Sequence, residues 1–211
     1  MLNKRSFLLI ELILLFFIVP IILFLDVFPV LKLGSLLIAI VYVIITSRKN
    51  KLIRLKSLLL FSLKDQWKRL VLSAIFVFGS SLTFMYLWHP EDLFIVVKKS
   101  PKIWIMVIFF YAFLSVVPQE LLYRSYFFER YHKLFKNKNY LLTINIIVFP
   151  LAHLMFHNWM VLLVTLIGGI FFTLTYNSSK SLLLTSLEHA IYGNWLFTIG
   201  MGEMLAFPMP H

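Results

Sequence analysis

Seven apolar stretches divide this chain, at roughly residues 6–25, 28–46, 70–88, 103–122, 140–156, 159–176 and 181–201. Each runs for about 17 to 21 residues, enough for a helix rising about 1.5 Å per residue to cross about 30 Å of hydrocarbon. A chain of 211 residues that is 61% hydrophobic and only 14% charged cannot bury that much apolar surface in one soluble core. The expected fold is therefore all-α: a polytopic transmembrane helix bundle of about seven spans, forming one membrane domain over residues 1–211. No internal repeat, low-complexity stretch or soluble segment suggests a second domain. The first stretch follows Lys4 and Arg5 as a signal peptide would, but it lacks a small-residue cleavage site and further spans follow it. It is expected to be a retained anchor helix. The absence of cysteine excludes disulfides and thiolate metal sites.

The net charge of +11 belongs to topology rather than to nucleic-acid binding, because the basic residues fall in alternate loops. One side receives Lys4 and Arg5, the run from Arg48 to Arg69, the group from Arg124 to Lys138, and Lys180, sixteen in all. The other receives four: Lys32, Lys98, Lys99 and Lys102. By the positive-inside rule the N-terminus is cytosolic, and an odd number of spans places His211 outside. Trp88, Trp104 and Trp159 fall at the outer ends of their helices, where an interfacial aromatic belt forms. In the longest loop, Leu52, Leu55, Leu59 and Leu63 alternate with Lys51, Arg54, Lys56 and Lys64 at near-helical spacing. That pattern predicts a basic amphipathic helix lying on the anionic lipids of the cytosolic leaflet.

Three polar clusters interrupt the apolar sequence: Gln119, Glu120 and Arg124; His153 after Phe149; and Glu188, His189 and Asn194. Ionisable groups in membrane spans are costly unless they pair or line a wet cavity, so they mark functional sites by default. Counted from the cytosolic ends of their helices, Glu120 lies about 15 Å deep, His153 about 20 Å and His189 about 12 Å. Three helices thus bring a carboxylate and two imidazoles to nearly one level, where one cytosol-accessible cavity could hold them. Each has a plainer reading. Glu120 and Arg124 are four residues apart and could be a self-neutralising pair, and either histidine could be a buried residue bonded to a backbone carbonyl. A zinc site of two histidines and a glutamate lacks the H-E-x-x-H pattern, so no metal and no cofactor are expected.

Without a metal, a glutamate and a histidine can deprotonate a water, while a second histidine and an asparagine donate hydrogen bonds to the oxyanion formed on a carbonyl. That equipment suits peptide hydrolysis. The three clusters, in this order on late helices, resemble the CAAX prenyl protease and bacteriocin-processing (CPBP, or Abi) family of intramembrane glutamate-type endopeptidases. Its first motif, E-E-x-x-x-R, is met by Gln119, Glu120 and Arg124; its second, F-x-x-x-H, by Phe149 and His153. Its third, a histidine followed four residues later by Asn or Asp, is met by His189 with Asn194 one residue late. The resemblance covers roughly residues 100–200.

It implies an endopeptidase cleaving a membrane-proximal or lipid-modified peptide from the cytosolic side of a bacterial membrane. Glu120 and His153 would activate water, His189 and Asn194 would stabilise the oxyanion, Arg124 would fix the carboxylate and Gln119 would orient water or substrate. Partners would be that peptide and membrane lipids. Two departures stand out. Gln119 holds the place of the family's first glutamate, and an amide cannot accept the water's proton; Glu120, one residue on, points about 100° away. Asn194 lies about 140° from His189 on an ideal helix, and a π-bulge at Gly193 is the expected remedy. The alternatives are a non-catalytic binding or self-immunity protein on the same scaffold, or a proton-coupled transporter relaying through Glu11, Glu120, His153, His189 and Glu188. The transporter would require two related halves with interrupted helices, which the sequence lacks.

Overall fold

The computed structural model describes residues 4–25, 29–50 and 66–203, without the side chains of 29–33 and 36. Among these residues there are eight helices and no strand: α1 (Lys4–Phe24), α2 (Pro29–Asn50), α3 (Trp67–Trp88), α4 (Ile95–Lys99), α5 (Pro101–Leu134), α6 (Lys138–Leu151), α7 (Trp159–Ser179) and α8 (Leu182–Leu196). The amphipathic helix expected around Leu52 to Leu63 lies outside the described residues. Five helical segments are long and apolar enough to cross a membrane: α1, α3, α5, α6 extended through Phe156, and α7. The expected count of seven also drew on α2 and α8. Those two are helical but do not join the five among the described residues, and α8 is only 15 residues long, with Glu188 and His189 inside it. The chain is an integral membrane protein built of helices.

Helix ends in lipid must satisfy their own backbone groups, and the sequence supplies caps where chain reversals occur. Asn158 accepts from the Met160 and Val161 amides at 2.9 and 3.4 Å to start α7, and Ser181 accepts from the Leu184 amide at 3.0 Å to start α8. Pro150 removes an amide hydrogen near the end of α6, leaving the Ile146 carbonyl without its helical donor. Gly169 of α7 passes at that point: a Cβ there would sit 3.1 Å from the Ile146 oxygen, so a larger side chain would hold the two helices apart.

Pro118 has the same effect inside α5, where the winding loosens to π on both sides, over Tyr111–Val116 and Leu121–Tyr126. Each π segment rotates the helix face relative to a uniform α-helix. The core around α5 is strongly aromatic. Phe16 of α1 meets Tyr123, Phe127 and Tyr131 edge-on, and Phe149 of α6 meets Tyr123 and Phe172 in the same way. Edge-to-face pairs of this kind add to simple area burial.

Buried polar groups tie the helices together. Glu11 of α1 accepts from Tyr126 at 2.5 Å, from Arg130 at 3.0 and 2.5 Å, and from Tyr131 at 3.0 Å, which pins α1 to the end of α5. Asn145 of α6 donates to the Tyr123 carbonyl at 2.5 Å and accepts from Thr173 of α7 at 2.8 Å. Glu188 turns away from His189 toward Arg69 of α3, 3.5 Å away, and also accepts from Thr175 and from Tyr192. Every one of these charges is paired, as low-dielectric burial requires.

Candidate active site

α5 supplies both residues of the first motif, and its π winding sends them in different directions. Gln119 lines a cavity of about 750 Å³ enclosed by α1, α2, α3, α5, α6, α7 and α8. Its amide donates to Ser115 Oγ at 2.8 Å, and its Oε1 is buried without a hydrogen-bond partner among the described residues. Glu120 has no exposed surface and is not part of the cavity wall. It points instead between two partners, with Oε1 2.8 Å from His189 Nδ1 and Oε2 3.4 Å from Arg124 Nε. The guanidinium of Arg124, also fully buried, lies over the Phe149 ring at 4.8 Å and near Phe172 at 5.9 Å. Cation–π contact of this kind offsets part of the cost of burying the charge.

The second motif places its histidine at the broken end of α6. Beyond Pro150 the chain leaves the helix, and His153 adopts φ −98°, ψ 1° as it enters a short 3₁₀ turn. His153 Nδ1 lies 2.9 Å from the Phe149 carbonyl. A carbonyl only accepts, so Nδ1 carries the proton and Nε2 keeps its lone pair. His153 lines the cavity.

His189 comes from the middle of α8. Its ring stacks on Phe172 at 4.4 Å and meets the edge of Phe149 at 5.6 Å, so two aromatic walls fix its plane. As a carboxylate, Glu120 accepts from Nδ1–H, which directs the Nε2 lone pair to the Tyr111 hydroxyl 3.2 Å away. Phe149 separates the two histidines, lying 5.0 Å from His153 and 5.6 Å from His189 between ring centroids.

Five of the expected residues therefore lie at the cavity: Gln119, His153 and His189 on its wall, and Glu120 and Arg124 behind His189. The geometry differs from expectation in two respects. Glu120 does not face His153 across the cavity. Asn194 is absent from the wall, and its Oδ1 is buried without a partner among the described residues. The reason is helical register: α8 remains α-helical through Leu196, and the π winding expected at Gly193 occurs later, over Phe197–Met201. Gly193, one turn after His189, lines the cavity instead. Tyr111 and Ser115 were missed in the sequence. Their signal was an i, i+4, i+8 stripe ending at Gln119, disguised by the aromatic and apolar residues around them.

Residues 101–195 match the family model described as type II CAAX prenyl endopeptidase Rce1-like. The chain carries an Rce1-like domain. No curated protein and no solved structure gives a significant match. The Rce1-like domain begins at the start of α5 and ends one residue before the end of α8, so it contains all of the polar site. The apolar part of the cavity draws also on α1, α2 and α3, which precede that domain.

Proposed function

We propose that the protein is an intramembrane endopeptidase that cuts a membrane-proximal or lipid-modified peptide, with His153 as the base that activates water. The supporting observation is that His153, with Nδ1 tied to the Phe149 carbonyl so that Nε2 keeps its lone pair, lines a largely apolar cavity together with Gln119, whose Oε1 has no partner among the described residues. His153 Nε2 takes one proton from a water while Gln119 Oε1 accepts the hydrogen bond of the other, which aims the oxygen lone pair at the carbonyl carbon. The new C–O bond forms as the carbonyl π electrons move to oxygen. On collapse the C–N bond breaks and His153 returns the proton to the leaving amine. Glu120 holds the His189 ring in one tautomer, and Arg124 balances the Glu120 charge. The apolar wall contributed by α1, α2 and α3 suits an attached lipid chain. The site opens to the cytosol of a bacterial cell, following the distribution of basic residues.

A second reading is favoured by one residue. Gln119 stands where the resembling family has a carboxylate base, so the cavity would bind the peptide without cutting it. Both readings are tested with purified protein in detergent and a library of prenylated and unmodified peptides, scored for binding and for cleavage. Cleavage by the wild type that disappears in His153→Ala is the expected result. Binding with no cleavage would leave the binding protein, and neither binding nor cleavage would remove both.

A further inference from the structure

We infer that Asn145 is a positioning residue for the site: its side-chain amide replaces a missing helical donor and so fixes the π turn of α5 that sends Gln119 to the cavity and Glu120 to His189. The inference deepens the peptidase reading, and its geometric part is tested without cleavage.

In an α-helix the Tyr123 carbonyl would accept from the Phe127 amide. Here that amide bonds to the Leu122 and Arg124 carbonyls and passes Tyr123 by. A buried carbonyl skipped by its own helix needs a donor from outside it, and that donor is Asn145 Nδ2 of α6, 2.5 Å from the Tyr123 oxygen. Asn145 has no exposed surface, and its Oδ1 accepts from Thr173 of α7 at 2.8 Å, which fixes the end of the amide that faces α5. Unbroken α winding would draw the Tyr123 carbonyl into the helical ladder and away from the buried amide. The α6 and α7 side chains therefore favour the π winding.

That winding sets the facing of the site. Past the turn, Tyr126, Arg130 and Tyr131 are bound to Glu11 of α1. Before it, Gln119 lines the cavity and Glu120 reaches His189. One residue more or less in the winding between these two ends rotates one against the other by about 100°. With the far end held by Glu11, the rotation would fall on Gln119 and Glu120. The Tyr123 oxygen also lies 3.5 Å from Arg124 Nη1, and Arg124 Nε is 3.4 Å from Glu120 Oε2, so a polar path runs from Asn145 through Arg124 and Glu120 to His189. Phe149, one turn after Asn145 on α6, packs against both Arg124 and His189. Asn145 itself is not part of the cavity wall, and it acts through α5.

The test uses the full chain in detergent. A tyrosine followed by an arginine occurs once in the sequence, at Tyr123 and Arg124, so tyrosine labelled at its carbonyl carbon together with arginine labelled at its amide nitrogen marks that peptide group alone for NMR. Nitrogen-labelled histidine reports the Nδ1 proton of His189, assigned by its loss in His189→Gln. Asn145→Leu, of similar volume but without the amide, should move the Tyr123 carbonyl signal upfield and, by weakening the bond to Glu120, move the His189 Nδ1 proton upfield as well. With farnesylated and unmodified peptides it should lower kcat by about 10²-fold at unchanged KM, the scale of a small misplacement of catalytic groups. Thr173→Val, which frees the Asn145 amide to turn over, should give the same changes in smaller size and carries the test if Asn145→Leu does not fold; Thr173→Ser should restore the wild-type values. An unmoved Tyr123 carbonyl would overturn the inference. A shifted carbonyl with an unmoved His189 proton and unchanged kcat would also overturn it, reducing Asn145 to a tie between α6 and α5. A wild type that cleaves none of the peptides, with both spectral shifts present in the variants, would overturn the peptidase reading and support the role of Asn145 in setting the π turn.

Discussion

Glu120 and His189 lie 69 residues apart in the chain, yet Oε1 of the first sits 2.8 Å from Nδ1 of the second. The bond joins α5 to α8 at a level where neither carboxylate nor imidazole could be left alone in a low-dielectric interior. It also separates the roles of two adjacent residues. Glu120 is bonded to His189, while Gln119, one position earlier, lines the cavity.

The buried pair behind the cavity makes a stability prediction. Glu120→Gln takes from the Arg124 guanidinium, which has no exposed surface, its ion-pair partner at 3.4 Å. Breaking a buried pair from one side costs about 3–5 kcal/mol, so the variant should unfold at markedly lower temperature in detergent. Adding Arg124→Met should restore part of that loss. An unchanged unfolding temperature for Glu120→Gln would mean that the two side chains do not pair.

Gln119→Glu puts a carboxylate on the wall of the cavity that His153 also lines. A second proton acceptor beside the water should raise single-turnover cleavage by about 10²-fold or more, within the range of general-base contributions. Gln119→Ala should only slow the reaction, since it removes orientation of the water and not the base. Cleavage that falls in Gln119→Glu would show that the amide is needed for its hydrogen-bond donors.

Hydrolysis should survive prolonged treatment with a strong chelator. Both nitrogens of His189 and Nδ1 of His153 are already hydrogen-bonded, and Glu120 is committed to His189 and Arg124. Among the described residues, the group of three close metal-type ligands is His89, Glu91 and Asp92, at the turn between α3 and α4. Loss of activity with chelator, reversed by zinc alone, would require a rearranged site.

Orientation is tested by labelling. Positions 99, 136 and 180 are all exposed, so a cysteine at each is open to reagent from its own side of the membrane. In intact cells an impermeant thiol reagent should modify the cysteine of Lys99→Cys and spare those of Lys136→Cys and Lys180→Cys. The opposite pattern would reverse the orientation and move the cavity to the other face.

The sequence by itself determined the helical membrane class and the polar residues that carry the site. Apolar runs of spanning length leave no other fold, and an ionisable group inside such a run is too costly to be incidental. Depth counting also placed Glu120, His153 and His189 near one level, because rise per residue varies little along a helix. Facing direction was a different matter. A residue's face follows from sequence only while the helical period is uniform, and the π turns on either side of Pro118 break that period where Gln119 and Glu120 sit. At Asn194 the opposite occurred: the expected π turn is absent at Gly193, so the asparagine stays off the cavity wall. Partner choice was likewise tertiary. Nothing local tells Glu11 to meet Arg130, Glu188 to meet Arg69, or Tyr111 to occupy the space beside Gly193. Those pairings are set by which helices lie side by side, and by the need of each buried charge for a neighbour across that contact.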